Sequence, residues 1–154
     1  MQHAPIDPEN ELLEKALDLA REAHRGQRDR YGAPYILHVL RVGLAGDTAE
    51  EIAAGILHDT VEDFYHSPEP LRRAGIPDRV IRLVEVLSRR DGEEYDEYID
   101  RVLGSRTAMK IKLRDLADNM NVQRFPQGVA VDGERLQRYL RAWRRIRAAM
   151  EHEQ

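Results

Sequence analysis

The run Leu57-His58-Asp59-Thr60-Val61-Glu62-Asp63 follows directly on the apolar stretch Ile52-Ala53-Ala54-Gly55-Ile56. A helix made of Ile, Leu and Ala belongs in a core. A histidine and three carboxylates at its end therefore bring ionisable groups to the edge of that core, where burial is costly unless something pairs with them. A divalent metal is a suitable partner. In this reading His58 and Asp59 hold the ion while Glu62 and Asp63 manage a water beside it. Imidazole mixed with carboxylate suits a first-row transition metal better than magnesium or calcium, which favour oxygen ligands. A metal lowers the pKa of water and a neighbouring carboxylate accepts the proton. The competing reading of Glu62 and Asp63 is an acidic helix end in solvent.

A His-Asp pair needs further ligands. Of the six histidines, His3 and His152 lie near the chain ends and are expected in solvent. His38 interrupts the apolar run Ile36-Leu37-His38-Val39-Leu40, so it is either a satisfied core histidine or a ligand. His24 follows Ala20 by one turn and is a packed or capping residue, or else a substrate contact. The segment 110–120 offers Asp115 and Asp118. Met109, Leu113, Leu116, Ala117 and Met120 define an apolar stripe at helical period. Asp115 and Asn119 flank it, whereas Asp118 points away, toward solvent or toward Arg114. Asp115 is therefore the expected ligand and Asn119 a hydrogen-bonding group in the same cleft, while Asp118→Ala is expected to leave the metal in place.

These groups need helices to position them. Asp7-Pro8-Glu9 reads as an N-cap, a first-turn proline and a first-turn acid, opening a helix that runs to about Arg25 and stops at Gly26. Residues 27–34 read as a polar loop, and 35–44 as a helix, since no second strand candidate exists to pair with them. Asp47-Thr48 starts the helix that carries the His58 run near its end. Further helices are expected from Ser67-Pro68, from Pro77-Asp78, over 93–103, from Ser105 through Met120, and from Asp132 onward. The last carries Leu136, Tyr139, Leu140, Trp143, Ile146, Arg147 and Met150 on one stripe, with Arg135, Arg138, Arg141, Arg144 and Arg145 facing away from it or flanking it, as a solvated face. The expectation is an all-α single domain of roughly seven or eight helices.

Composition narrows the partners. At 154 residues the length is that of one domain. The chain contains no cysteine, which excludes disulfides, cysteine-zinc sites and thiol catalysis. A formal net charge of -4 argues against a general nucleic-acid binder. No apolar run is long enough for a membrane span, and the N-terminus lacks a secretory pattern, so a cytoplasmic protein is expected. Lysine occurs only at positions 15, 110 and 112, with the other basic residues arginine. That excess either serves phosphate recognition or reflects a GC-rich genome. The stripe around Tyr139 and Trp143 packs internally or serves a homodimer, so monomer and homodimer both stay open.

Four segments together resemble the HD-domain metal-dependent phosphohydrolases, and in detail the guanosine tetraphosphate hydrolase domain of RelA/SpoT-type proteins. They are Ala23-His24-Arg25-Gly26-Gln27, Gly32-Ala33-Pro34-Tyr35-Ile36-Leu37-His38, the run 57–63, and Lys112-Leu113-Arg114-Asp115 with Asn119-Met120. The resemblance spans 23–120 and implies one HD-type domain over 1–154 with a C-terminal helix at 132–152. It implies a single manganese ion held by His38, His58, Asp59 and Asp115, with Glu62 and Asp63 activating water. It also implies a nucleotide substrate gripped by Arg25, Arg28 or Arg30 and Asn119, and release of the 3′-pyrophosphate of guanosine tetra- or pentaphosphate. The length suggests a small stand-alone hydrolase. This chain departs from the family's pattern at Asp29, Val39, Leu116-Ala117-Asp118 and Asn121. None of these positions touches the metal chemistry and all of them touch substrate recognition, so a hydrolase of another nucleotide and a non-catalytic nucleotide sensor stand as alternatives.

Overall fold

Ala49–Leu57 is apolar nearly all round, and a helix of that kind belongs in the middle of a bundle. In the computed structural model, which describes residue 5 and residues 7–152, it does. Ala53, Ala54, Ile56 and Leu57 of this helix, α3, are fully buried. Around it pack α1 (Pro8–Ala23), α2 (Ile36–Leu44), α5 (Asp78–Val86) and α7 (Arg106–Asn119). The short α4 (Glu69–Arg73) abuts α5, α6 (Tyr95–Val102) abuts α7, and the long α8 (Gly133–His152) packs on α7. Among the described residues there is no strand, only an isolated bridge from Arg28 to Pro34 that closes the first loop. The fold is all-α with eight α-helices among the described residues.

Capping chemistry sets most helix starts. Asp7 accepts from Asn10 N at 2.9 Å, Thr48 from Glu51 N at 3.2 Å and Ser105 from Ala108 N at 3.2 Å. Glu94 and Glu97 form a reciprocal capping box, so α6 begins at Tyr95 rather than 93. The first helix ends at Ala23, two residues before the expected Arg25, because His24 takes the C-cap and Gly26 turns the chain at φ +74°. His3 lies outside the described residues, and His152 is exposed.

Two glycines govern how the site-bearing helices meet. A Cβ on Gly55 would stand 2.7 Å from Gly43 Cα, and one on Gly43 would stand 2.9 Å from Ile52 O. Only hydrogen fits at this crossing of α2 and α3. The contact brings His38, five residues before Gly43, beside His58, three after Gly55, with ring centroids 5.5 Å apart. Gly55→Ala is therefore expected to push α2 off α3 and cost about 1–3 kcal/mol, the usual range for overpacking a tight core. Thermal unfolding checks this, and an unchanged midpoint would contradict it.

Glu51 is buried on α3 and accepts from Lys110 Nζ at 2.9 Å and from Arg114, both on α7. Arg114 is thus committed to Glu51 and not to Asp118, contrary to the expectation from spacing. The buried face of α7 is also rotated from the expected stripe. It consists of Ala108, Met109, Ile111, Lys112, Asp115 and Leu116, with Ala117 exposed. Two of those six residues are charged, so a stripe drawn from apolar residues alone was centred on the wrong face. The rotation carries Asp118 toward α2.

Candidate metal centre and cleft

His58 is the C-cap of α3, where helix carbonyls lack partners. Its Nδ1 lies 2.6 Å from Gly55 O, to which it donates, leaving Nε2 as the open side of the ring. His38, in the first turn of α2, has Nδ1 2.6 Å from Asp118 Oδ2 and likewise presents Nε2. Both rings are almost wholly buried, and both Nε2 atoms lack a properly aligned hydrogen bond. They face carboxylates instead. His38 Nε2 is 3.1 Å from Asp115 Oδ1, and His58 Nε2 is 3.0 Å from Asp59 Oδ2 and 3.6 Å from Asp115 Oδ1.

His38, His58 and Asp115 each offer one ligand atom, all within 4.8 Å of one another, and form a group able to hold a metal ion. Asp59 Oδ2 borders that group, 3.8 Å from His38 Nε2, and accepts from the Tyr35 hydroxyl at 2.6 Å. Two buried imidazole nitrogens without hydrogen bonds, with their other nitrogen fixed by an acceptor, and two carboxylates make a first-row transition-metal environment.

Asp115 divides its labour between its two oxygens. Oδ2 accepts from Lys112 Nζ at 2.6 Å, and Oδ1 accepts from Asn119 Nδ2 at 2.9 Å while facing the histidines. Lys112 is itself buried over the Tyr98 ring, 5.1 Å from its centroid. Burial opposes ionisation of Asp115, but Lys112 and the two histidines overcome it and hold the carboxyl well below its ordinary range. Asp59 is held at about 2, since His58 outweighs its burial. Burial pushes His58 down, yet Asp59 and Asp115 drive it well above the usual histidine value. The pocket thus attracts positive charge, which a divalent cation supplies in concentrated form.

Beyond Leu57 the chain leaves the α-helix. Val61–Tyr65 forms a π-helical turn, closed by His66 N donating to Val61 O at 2.8 Å, with His66 left-handed at φ 55°. Such turns recur at functional sites because they re-aim side chains. Here Glu62 and Asp63 both line the cleft that Asp59 and Asp115 also line. Glu62 accepts from Arg89 N at 3.0 Å, and Asp63 accepts from Gln27 Nε2 at 3.2 Å. Burial and then the nearby Asp59 charge raise both carboxyls above ordinary values. His24 is buried, bonded to Gln27 Oε1 at 2.7 Å and packed on Tyr35, so it supports the wall rather than facing the cleft.

The cleft encloses about 370 Å³ and its lining mixes acidic, basic and aromatic side chains. Asp59, Glu62, Asp63 and Asp115 supply the acids next to the histidines; Arg28, Arg30, Arg89, Arg135 and Arg138 supply positive charge, with Arg89 N bonded to Glu62; and Tyr31, Phe125, Tyr95 and Tyr139 supply aromatic surface. Asn119 also lines the cleft. Of the anticipated grips, Arg28 donates to Gly32 O at 2.7 Å and Arg30 reaches Asp132 at 3.6 Å. Arg25 does not join them; it lines a separate depression with Arg21 and His24. The arginines of α8 are not simply a solvated face. Arg138 stacks over Tyr95 at 5.3 Å and Arg135 donates to the Tyr139 hydroxyl at 2.7 Å, both at the cleft. Arg145 pairs with Asp100 on α6.

Asp118 departs most from expectation. It is largely covered, bonded to His38, Arg41 and Arg124, and held at about 2 because these partners outweigh its burial. Position alone could not find it, but its place three residues after Asp115 on one helix was the available signal. Tyr35 and Lys112 were likewise missed as parts of the centre, although both lie inside the motif segments.

Comparison with known proteins agrees with this geometry. The family model described as HD domain matches residues 16–110. A protein named GTP pyrophosphokinase from Streptomyces coelicolor is 32% identical over 126 residues, covering 73% of this chain and 15% of that protein. One named guanosine-3′,5′-bis(diphosphate) 3′-pyrophosphohydrolase from Aquifex aeolicus is 30% identical over 132 residues, covering 78% of this chain and 18% of that protein. The chain therefore spans under a fifth of these relatives' length. A solved structure described as a metazoan ortholog of SpoT that hydrolyzes ppGpp superposes with a TM-score of 0.71 at 25% identity, covering 96% of this chain and 88% of that one.

Proposed function

The chain belongs to the HD-domain family, and from that premise we propose that it is a metal-dependent phosphohydrolase removing the 3′-pyrophosphate of guanosine 3′,5′-bis(diphosphate). The observation that carries the reading is one cleft that combines both chemistries. Asp59 and Asp115, beside two open imidazole nitrogens, suit a metal and a water, and the arginines and aromatic rings lining the same cleft suit a nucleotide bearing several phosphates. The names of the Aquifex relative and of the metazoan structure favour this substrate among nucleotides.

His38, His58, Asp59 and Asp115 would hold the ion, which we take to be manganese. When bound it supplies Lewis-acid polarisation of the phosphoryl group and a more acidic water. One of Glu62 and Asp63 accepts a proton from the attacking water, whose oxygen adds to the first phosphorus of the 3′-diphosphate. The bond from phosphorus to the 3′ oxygen breaks, and the protonated carboxyl returns its proton to that oxygen. Lys112 keeps Asp115 Oδ2 occupied and leaves Oδ1 toward the two histidines, where it would help hold the ion. Arg28, Arg30, Arg135 and Arg138 neutralise the phosphates, while Asn119 and the cleft aromatics bind the nucleoside.

The base must be ionised to act, and burial with neighbouring charge raises Glu62 and Asp63. Activity is thus expected to fall on acidification through a limb above about 4, the ordinary carboxylate value. A kcat/KM profile whose acid limb lies at or below that value would contradict the assignment. The substrate is tested by offering the manganese-loaded protein guanosine tetraphosphate beside ordinary nucleoside mono- and triphosphates. GDP and pyrophosphate are expected. Turnover of the other nucleotides alone would reassign the substrate, and binding without turnover would make the protein a sensor.

A further inference from the structure

Asp118 lies on the far side of His38 from the metal group. Its Oδ2 is 2.6 Å from His38 Nδ1 and 2.6 Å from Arg124 Nη1, and its Oδ1 accepts from Arg41 Nε at 2.7 Å. Arg124 also donates to Asp118 O at 2.8 Å and, through Nη2, to Asp29 Oδ2 at 2.7 Å. Asp29 in turn accepts from Tyr31 N and Ala33 N, both at 2.9 Å, and so shapes the loop that carries Arg28 and Arg30. The chain from the loop to His38 is continuous: Asp29, Arg124, Asp118, His38.

We propose that Asp118 is the positioning residue of His38, fixing the ring with Nδ1 protonated and Nε2 turned to the metal, and that Arg124 ties this carboxylate to the substrate loop through Asp29. The inference rests on the metal-centre part of the function above and goes beyond it in assigning Asp118, Arg124 and Asp29. The physical ground is general. A ligating histidine is oriented by the acceptor on its other nitrogen, and a carboxylate there also raises the ring's basicity. Arg41 and Arg124, both bonded to the Asp118 carboxylate, keep it at His38 Nδ1 and out of the metal group itself. The same arginine holding Asp29 means that a shift of the loop is felt at Asp118, and through it at His38.

Manganese affinity, measured by calorimetry on wild type, Asp118→Asn and Asp118→Ala, tests this without reference to substrate. A loss of about 10–100-fold is expected for Asp118→Ala. Asp118→Asn keeps an acceptor for Nδ1–H but not the charge, so a smaller loss is expected with little change in unfolding temperature. Arg124→Met is expected to weaken metal binding less than Asp118→Ala, because Arg41 still holds the carboxylate, and to raise KM for the nucleotide through the freed loop. Nitrogen-15 NMR of the histidines in the metal-free wild type, taken at a pH where His38 is neutral, is expected to show the Nδ1–H form. A folded Asp118→Ala with wild-type manganese affinity, or a wild-type His38 protonated on Nε2, overturns the proposal. Asp118-dependent metal binding without hydrolysis of guanosine tetraphosphate keeps it and discards the substrate assignment. A wild type that binds no divalent metal overturns both.

Discussion

His58→Ala is expected to strip the protein of its metal and to reduce hydrolysis by about 10³-fold or more, the scale seen when one member of a group that acts as a unit is removed. Three consequences of the geometry converge on that loss. One of two open imidazole nitrogens disappears. The Gly55 carbonyl at the end of α3 loses its partner. Asp59 and Asp115 are left facing each other across His38 with less positive charge between them. Metal content after dialysis and the rate with manganese restored would measure both effects. Asp59→Ala is expected to behave in the same way, while also freeing the Tyr35 hydroxyl. A His58→Ala protein that retains both metal and rate would remove the centre from this account.

Glu62→Gln is expected to separate chemistry from binding. Glutamine keeps a side-chain oxygen to accept from Arg89 N, so the π-helical turn should hold its shape. It cannot take a proton. kcat is therefore expected to fall by about 10²–10⁴-fold, the usual contribution of a positioned base, with metal content intact and KM within a few-fold. Asp63→Asn is expected to show a similar but separate loss, since Gln27 rather than Arg89 holds that carboxylate. If Glu62→Gln lost its metal, Glu62 would be a ligand and not the base. If its kcat were nearly unchanged, the role would pass to Asp63.

The sequence made the helices and the centre legible for different reasons. Asp7, Thr48 and Ser105 announce helix starts through their own side chains, so those boundaries held. The end of α3 did not, because the π-helical turn after it carries no residue pattern of its own. His58 stands out by its chemistry, His38 as a ligand only by the family resemblance, and helical period prefers Asp115 to Asp118; Asp115 is the one that joins His38 and His58 in the group able to hold a metal. The same period misplaced Asp118 in solvent, because it was reckoned from apolar residues while Lys112 and Asp115 occupied the buried face of α7. Asp118→Ala, first expected to leave the metal undisturbed, is now expected to weaken it. The departures at Asp29 and Asp118 looked unrelated along the chain, yet Arg124 bonds to both. Contacts across some ninety residues of sequence, such as Asp29 with Arg124, carry no local signature. The arginines of α8 lie off its apolar stripe or flank it, which reads as a solvated face, and only the packing of α8 on α7 brings Arg135 and Arg138 to the cleft.

The most direct test is hydrolysis of guanosine 3′,5′-bis(diphosphate) by the manganese-loaded protein in oxygen-18 water, with the products separated and weighed by mass spectrometry. GDP and pyrophosphate are expected in equal amounts, with one heavy oxygen in the pyrophosphate and none in the nucleotide. Orthophosphate as the product, heavy oxygen in the GDP, or an untouched guanosine tetraphosphate beside a hydrolysed ordinary nucleotide would contradict it.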